Sequence, residues 1–142
     1  MSEWRFWDKL DNIQDYEGFV YKITNLTTNK FYIGKKNFFS KQNKPLTKTE
    51  LAEQTDKRKS KKKLVVKESN WKTYWGSNKE LLEDLKKLGE ESFDRQILTL
   101  CKTKKSLTYW EMHHQCRYEC LVSPMFSYND NILGKFFPKD LQ

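Results

Sequence analysis

Three side chains in this chain are candidates for acid–base or metal-binding chemistry: Tyr21, Tyr32 and Glu111. The tyrosines stand eleven residues apart in two short aromatic and β-branched stretches, Gly18-Phe-Val-Tyr-Lys-Ile-Thr24 and Lys30-Phe-Tyr-Ile-Gly34. Between them lies Asn25-Leu-Thr-Thr-Asn29, and the whole is the pattern of a β-hairpin. With the turn centred on Thr27 and Thr28, Ile23 faces Tyr32 and Tyr21 faces Gly34, and the two-residue period of a strand puts all four on one face. Phenols so placed can position or deprotonate a water. The glycine beside them signals either close approach by a ligand or another backbone, or a bulge in a packed aromatic face.

Glu111 falls in a segment that reads as a helix. At 100° per residue, Leu107, Glu111, His114 and Tyr118 share one side, and Tyr109, Met112, His113, Cys116 and Cys120 the opposite one. A helix apolar on two sides is expected between two layers, with Glu111 partly buried among rings. Such a carboxylate needs a cation, a metal or strong donors, so a salt bridge and a metal site are both open. His113-x-x-Cys116-x-x-x-Cys120, with Cys101 as a fourth ligand, is a second candidate metal set, for zinc. Small residues filling a core make the same stripe. No Gly-rich phosphate loop, Ser-His-Asp order or Cys-His nucleophile pattern is present.

The elements that must position these residues follow from periodicity and caps. Trp4, Trp7 and Leu10 recur every three residues, as a short docking helix or an irregular aromatic clamp would. Residues 37–70 are polar and lysine-rich, with a helix expected around Thr47–Lys59. Ser77-Asn-Lys-Glu80 has the form of a capping box, followed by Leu81, Leu82, Leu85 and Leu88 at helical spacing and closed by Gly89. Residues 93–100 read as a third strand. The helix bearing Glu111 starts at Thr103 or Ser106 and runs to about Leu121, with Pro124 ending it. The tail, 128–134, is expected as a loop returning to the core. The order is strand, strand, basic insert, helix, strand, helix: an α+β domain on a mostly antiparallel sheet.

Composition bounds the function. Aromatics reach 15% of 142 residues, which excludes disorder as the main state and calls for a small core built of rings. A single alanine, Ala52, excludes an Ala-rich bundle. Of the net charge of +8, residues 41–67 carry +7, a block suited either to a polyanion partner or to solvent. Lysines outnumber arginines 23 to four. Three cysteines, an odd number, and no apolar run near the ~20 residues of a membrane span point to a reduced, cytoplasmic protein with no membrane partner.

Together, Phe19-Val20-Tyr21, the eleven-residue interval, Tyr32-Ile33-Gly34, Trp75-Gly-Ser77 opening a helix and Glu111 inside the last helix resemble the signature of GIY-YIG endonucleases, in particular free-standing phage homing-type nucleases. The first triplet departs from GIY. Tyr128-Asn129 or Asn131-Ile132 resembles the family's asparagine near the domain end, so the resemblance covers roughly residues 18–132. It implies an α+β, GIY-YIG-like three-stranded antiparallel sheet flanked by helices: an aromatic extension at 1–17, the nuclease-like domain at 18–134 with the insert 41–67, and a tail at 135–142. It implies a metal-dependent endonuclease acting on double-stranded DNA, as monomer or homodimer, inside the host cytoplasm in the case of a phage protein. Tyr21 would be the general base or water-positioning phenol and Tyr32 its partner; Glu111 would hold Mg²⁺ (or Mn²⁺). A phenol titrates near ~10, so as a base Tyr21 requires a cation to lower it, and Lys35 and Lys36 are nearest in sequence. The window where the family keeps an arginine, 38–49, has none, and its role passes to Arg58, Lys36 or Lys72. DNA contacts are expected from Lys35, Arg58, Lys61, Lys62, Lys63, Lys72, Ser77, Asn129 and Asn131. The alternative is a non-catalytic nucleic-acid-binding module on the same scaffold.

Overall fold

The computed structural model describes residues 3–54, 61–123 and 125–141. Its elements in chain order are β1 (Gly18–Asn25), β2 (Phe31–Asn37), β3 (Phe39–Pro45), α1 (Lys48–Glu53), β4 (Lys62–Glu68), α2 (Lys79–Leu88), β5 (Phe93–Cys101) and α3 (Lys104–Arg117). They divide into two compact units, Met1–Phe38 with Asn70–Gln142, and Phe39–Ser69.

In the first unit β1 is the central strand of a three-stranded antiparallel sheet ordered β2-β1-β5. The β1/β2 register is the one expected from the turn: Tyr21 pairs with Gly34 and Ile23 with Tyr32. On the other side Ile23 pairs with Arg95 and Tyr21 with Ile97, next to a bulge between Val20 and Tyr21. The turn itself is held by Asn25, whose side-chain oxygen accepts from the main-chain N–H of Thr27 at 3.0 Å, an Asx turn that fixes the hairpin's loop.

Alternation along the strands then sorts the core into two layers. Val20, Ile33 and Cys101 pack with Leu107 of α3 and with Cys120 on one face. The opposite face is aromatic: Phe19 touches Trp4, Phe38 and Trp71 at centroid separations of 5.1, 5.0 and 6.1 Å, and Tyr21 lies against the same indole of Trp4. Rings of this size bury much area per residue, which is how a chain so poor in aliphatics obtains a core.

Several local expectations are corrected. Residues 4–10 form no docking helix: the main chain of Arg5 bonds Arg95 and Ile97 along the outer edge of β5, and Trp4 packs on Phe19 and Tyr21 as the alternative, an irregular aromatic clamp, would. The N-cap of α2 is Asn78, accepting from the Leu81 N–H at 3.0 Å, and not Ser77. Glu80, which the capping box required, pairs with Lys30 instead. The last helix stops at Arg117, four residues short of Leu121, where Glu119 turns the chain at a φ of 54°. That helix is not sandwiched: Leu107 and Gln115 are buried against the sheet, whereas Tyr109, Trp110 and Cys116 are exposed. Among the described residues no group of three or more His, Cys, Asp or Glu could hold a metal, so the zinc set does not form; Cys101 and Cys120 belong to the aliphatic layer.

The second unit is a hairpin, β3 against β4, with Phe39 opposite Glu68 and Pro45 opposite Lys62. At its tip α1 carries a complete capping box, Thr47 with Glu50, and Glu50 also pairs with Lys63 at 2.7 Å. The helix spans Lys48–Glu53 with Gln54 as its C-cap, and the rest of the helix expected to Lys59, from residue 55 on, lies outside the described residues. Among the described residues no helix is long and apolar enough to cross a membrane.

Candidate active site

Tyr21 and Tyr32 project from β1 and β2 onto the aromatic face with ring centroids 6.1 Å apart. Tyr21 is only 1% exposed. Its ring is boxed by Trp4 at 5.3 Å, Phe19 at 6.1 Å and Tyr74 at 6.0 Å. Gly34 makes this possible: a β-carbon there would stand 2.5 Å from the Tyr21 hydroxyl oxygen and 2.8 Å from its Cζ. The close approach foreshadowed by the glycine is thus by a phenol of its own sheet. Gly34→Ala should force that buried ring aside at a cost of about 1–3 kcal/mol, read as a lower unfolding midpoint in urea; an unchanged midpoint would mean that the ring is not held there.

The electrostatics reverse one expectation. Burial lifts Tyr21 well above the ordinary phenol value, and Tyr32, Tyr74 and Glu111 push in the same direction. Burial raises Tyr32 as well, against a hydrogen bond from Ser77 that works the other way. Neither of the lysines expected to lower Tyr21 does so. The Lys35 ammonium donates to Thr108 Oγ1 at 3.0 Å, and that of Lys36 sits 4.1 Å from the centroid of the Tyr74 ring. Burial thus favours the neutral phenol at both tyrosines, a form able to donate to or orient a water.

Glu111 acts electrostatically on this pair from α3, whose Leu107 packs on the opposite face of the sheet. Burial, the largest influence, raises its carboxyl above the usual range; the Lys35 ammonium and the Lys35 main-chain N–H act oppositely. That N–H is part of a pattern along the outer edge of β2. Phe31 bonds main chain to main chain with Phe126 and Tyr128. Two residues on, Ile33 donates its N–H to Asn129 Oδ1 at 3.0 Å and receives Asn129 Nδ2 on its carbonyl at 2.8 Å. Gln115 Nε2 donates to the same carbonyl at 3.1 Å. Another two residues on, Lys35 meets Glu111. One edge, at its own two-residue period, so positions the tail, α3 and the carboxylate relative to Tyr32 and Gly34. A half-buried carboxylate with one donor on it and oxygen lone pairs remaining suits a hard divalent cation completed by water.

The other predicted site residues are distributed as follows. Asn129 is buried and its amide is engaged by Ile33 and Ser127, so it pins β2. Asn131 is tied within its own loop, to Asp130 and to the Gly134 N–H. Lys72 is exposed, its ammonium 5.7 Å from the centroid of Trp71, and Ser77 is exposed beside Tyr32. His114, three residues beyond Glu111, bonds Thr99 Oγ1 at 2.7 Å and is kept neutral chiefly by burial. Lys61, Lys62 and Lys63 belong to the second unit, Lys63 engaged by Glu50. Arg58 lies outside the described residues.

Two residues that the sequence reading passed over complete the arrangement. Tyr74 faces Tyr21 edge-on, and Arg95 fixes the segment that carries it. Arg95 is 2% exposed. Its guanidinium lies between the indoles of Trp4 and Trp75, at 4.5 and 4.2 Å. It donates to the carbonyls of Tyr74 at 2.7 Å and Lys72 at 3.2 Å. The signal was present in the sequence: Arg95 alternates with Phe93 and Ile97 in the buried register of β5. Beyond it the chain turns at Gly76, φ +88°, directly over Tyr21 and Tyr32.

A family model described as "Putative endonuclease segE, GIY-YIG domain" matches residues 4–132. No curated protein and no solved structure matches the chain.

Proposed function

Because the chain belongs to the GIY-YIG endonuclease family, we propose that it hydrolyses phosphodiester bonds of double-stranded DNA with one divalent cation, Mg²⁺ or Mn²⁺, held by Glu111. The observation that carries this reading is a pair of phenols packed around Gly34 with one desolvated carboxylate, Glu111, acting electrostatically on both. Phosphodiester hydrolysis needs a positioned water, compensation of charge on the phosphate and stabilisation of the leaving oxygen. A divalent cation bound at Glu111 would supply Lewis-acid stabilisation of the last two. The chain's own residues do the rest. Tyr32, half-exposed, orients the attacking water, and Tyr21 behind it holds Tyr32 in place. Lys36 supplies the cationic charge for which the family uses an arginine, as a point charge and not as a bidentate fork. Arg58 is the other candidate for that role.

The basic insert fits a backbone-gripping arm, whose phosphate contacts fix position without reading sequence. The test falls on two adjacent lysines of the insert, Lys61 and Lys62. Lys61→Ala with Lys62→Ala should weaken duplex binding alike across sequences and flatten its salt dependence by roughly one unit of slope per lost phosphate contact. An unchanged slope would remove the insert from the interface.

The substrate class is tested with labelled duplex DNA, single-stranded DNA and RNA of one sequence in Mg²⁺. Duplex should be cut fastest. Binding of all three without cleavage would instead support a non-catalytic nucleic-acid-binding module.

A further inference from the structure

The family pattern that pointed to this site supplied two tyrosines, but the structure contains a third phenol in contact with them. Tyr74 presents its ring edge-on to Tyr21, with centroids 6.0 Å apart and planes at 85°. Of the two, Tyr21 is sealed at 1% exposure whereas Tyr74 is half-buried and reaches solvent. A substrate oxygen entering on this side meets Tyr74 before it meets Tyr21.

Three further contacts hold Tyr74 in place. Its carbonyl is fixed by the buried guanidinium of Arg95 at 2.7 Å, and Arg95 is itself held between two indoles. Its main-chain N–H closes a turn onto Trp71. Over its ring, 4.1 Å from the centroid, sits the ammonium of Lys36, from the same face of β2 as Tyr32 and Gly34. A cation over the π face draws electron density from the ring and strengthens the O–H as a donor. A donor pre-positioned by buried partners needs no reorganisation when charge develops before it, which is the condition for electrostatic catalysis.

We propose that Tyr74 is a further catalytic residue, its O–H donating to a non-bridging oxygen of the scissile phosphate while Lys36, seated on the same ring, adds positive charge. Tyr21 then serves as the buried support for both exposed phenols. This rests on the nuclease reading of the preceding section. It gives the lysine a defined seat in the site and makes Tyr74 and Lys36 one functional pair.

The test is single-turnover cleavage of duplex DNA in Mg²⁺ by the full chain as wild type, Tyr74→Phe, Lys36→Gln and the double variant. Phenylalanine keeps the ring and its packing on Tyr21 and removes the hydrogen bond between the two side chains. Tyr74→Phe should therefore stay folded with a midpoint lower by only a few degrees and bind duplex within about twofold of wild type, yet cleave ~10²–10³-fold more slowly. The double variant should lose less than the product of the single losses, because both groups act on one phosphate. If wild type cleaves and Tyr74→Phe cleaves at a comparable rate, this proposal alone is overturned. Loss of the fold or of DNA binding in Tyr74→Phe would equally overturn it, by making the hydroxyl structural. Intact DNA with wild type would overturn the nuclease reading, and the role of Tyr74 with it.

Discussion

Glu111→Gln should leave a folded protein that binds duplex DNA and cleaves it at least ~10³-fold more slowly than wild type. Losing a metal's charge stabilisation costs several kcal/mol of barrier, and each ~1.4 kcal/mol is tenfold in rate. The variant should also be no less stable than wild type. Burial raises the Glu111 carboxyl above its usual range, so the folded chain keeps that proton to higher pH than the unfolded chain does. The contribution of the group to stability is thus fully present below the unfolded value and is lost as pH rises through the folded one. Glutamine cannot ionise and keeps an acceptor for the Lys35 N–H, so the stability difference should favour the variant more at neutral pH than at acid pH. Urea denaturation at the two pH values reads this directly. A variant that retains cleavage, or that is destabilised at neutral pH, would make Glu111 a structural residue.

The second large effect falls on stability. Arg95→Ala removes a guanidinium from between two indoles and leaves the carbonyls of Tyr74 and Lys72 without their donor. A cavity and two part-buried acceptors left without their donor together cost about 3–5 kcal/mol. For a chain of this length that lowers the unfolding temperature by roughly 10–15 °C. Arg95→Lys should recover only part of it, because a compact ammonium cannot reproduce both the stacking and the two-carbonyl fork. Thermal unfolding followed by near-ultraviolet circular dichroism is the measurement, with the Trp4 and Trp75 signals reporting the clamp itself. A shift of only a degree or two for Arg95→Ala would show that the indoles hold each other without it.

What the sequence disclosed depended on whether a local rule determined the outcome. The register of Tyr21 against Gly34 followed from a two-residue period and a central turn, both intrinsic to the hairpin. For the last helix the rotation per residue left two apolar sides and a partly buried Glu111; the side of Leu107 is the one packed on the sheet, and the side of Tyr109 is exposed. The hairpin β3/β4 was invisible because Phe39-Ser-Lys-Gln-Asn-Lys-Pro45 has no alternation to read. Six of its seven residues are exposed, and the strand exists through its ladder to β4 and not through burial. The same hairpin occupies the window in which the family keeps its arginine, so that residue has no helix to stand on. The cap of α2 moved from Ser77 to Asn78 because its partner Glu80 was taken by Lys30, a contact fifty residues away in sequence.

The site shows the same division. The two tyrosines and the glutamate are motif residues and were found as such. Their ionisation was misjudged because burial, which lifts both phenols, depends on Trp4 and Tyr74 folding over the hairpin. Tyr74 belongs to no short-range pattern, and the alternation around Arg95 marks it as buried without naming its partners. Both act through a loop and a strand that meet only in the folded chain.

The claim at the centre of this site is that two neutral phenols and one carboxylate suffice, with a divalent cation, to cut DNA. Supercoiled plasmid incubated with the purified protein, with Mg²⁺ and with EDTA, tests it most directly. Conversion to nicked and then linear plasmid in Mg²⁺, absent in EDTA, is the predicted result. Plasmid that is bound but stays supercoiled across metals and salt concentrations would contradict it.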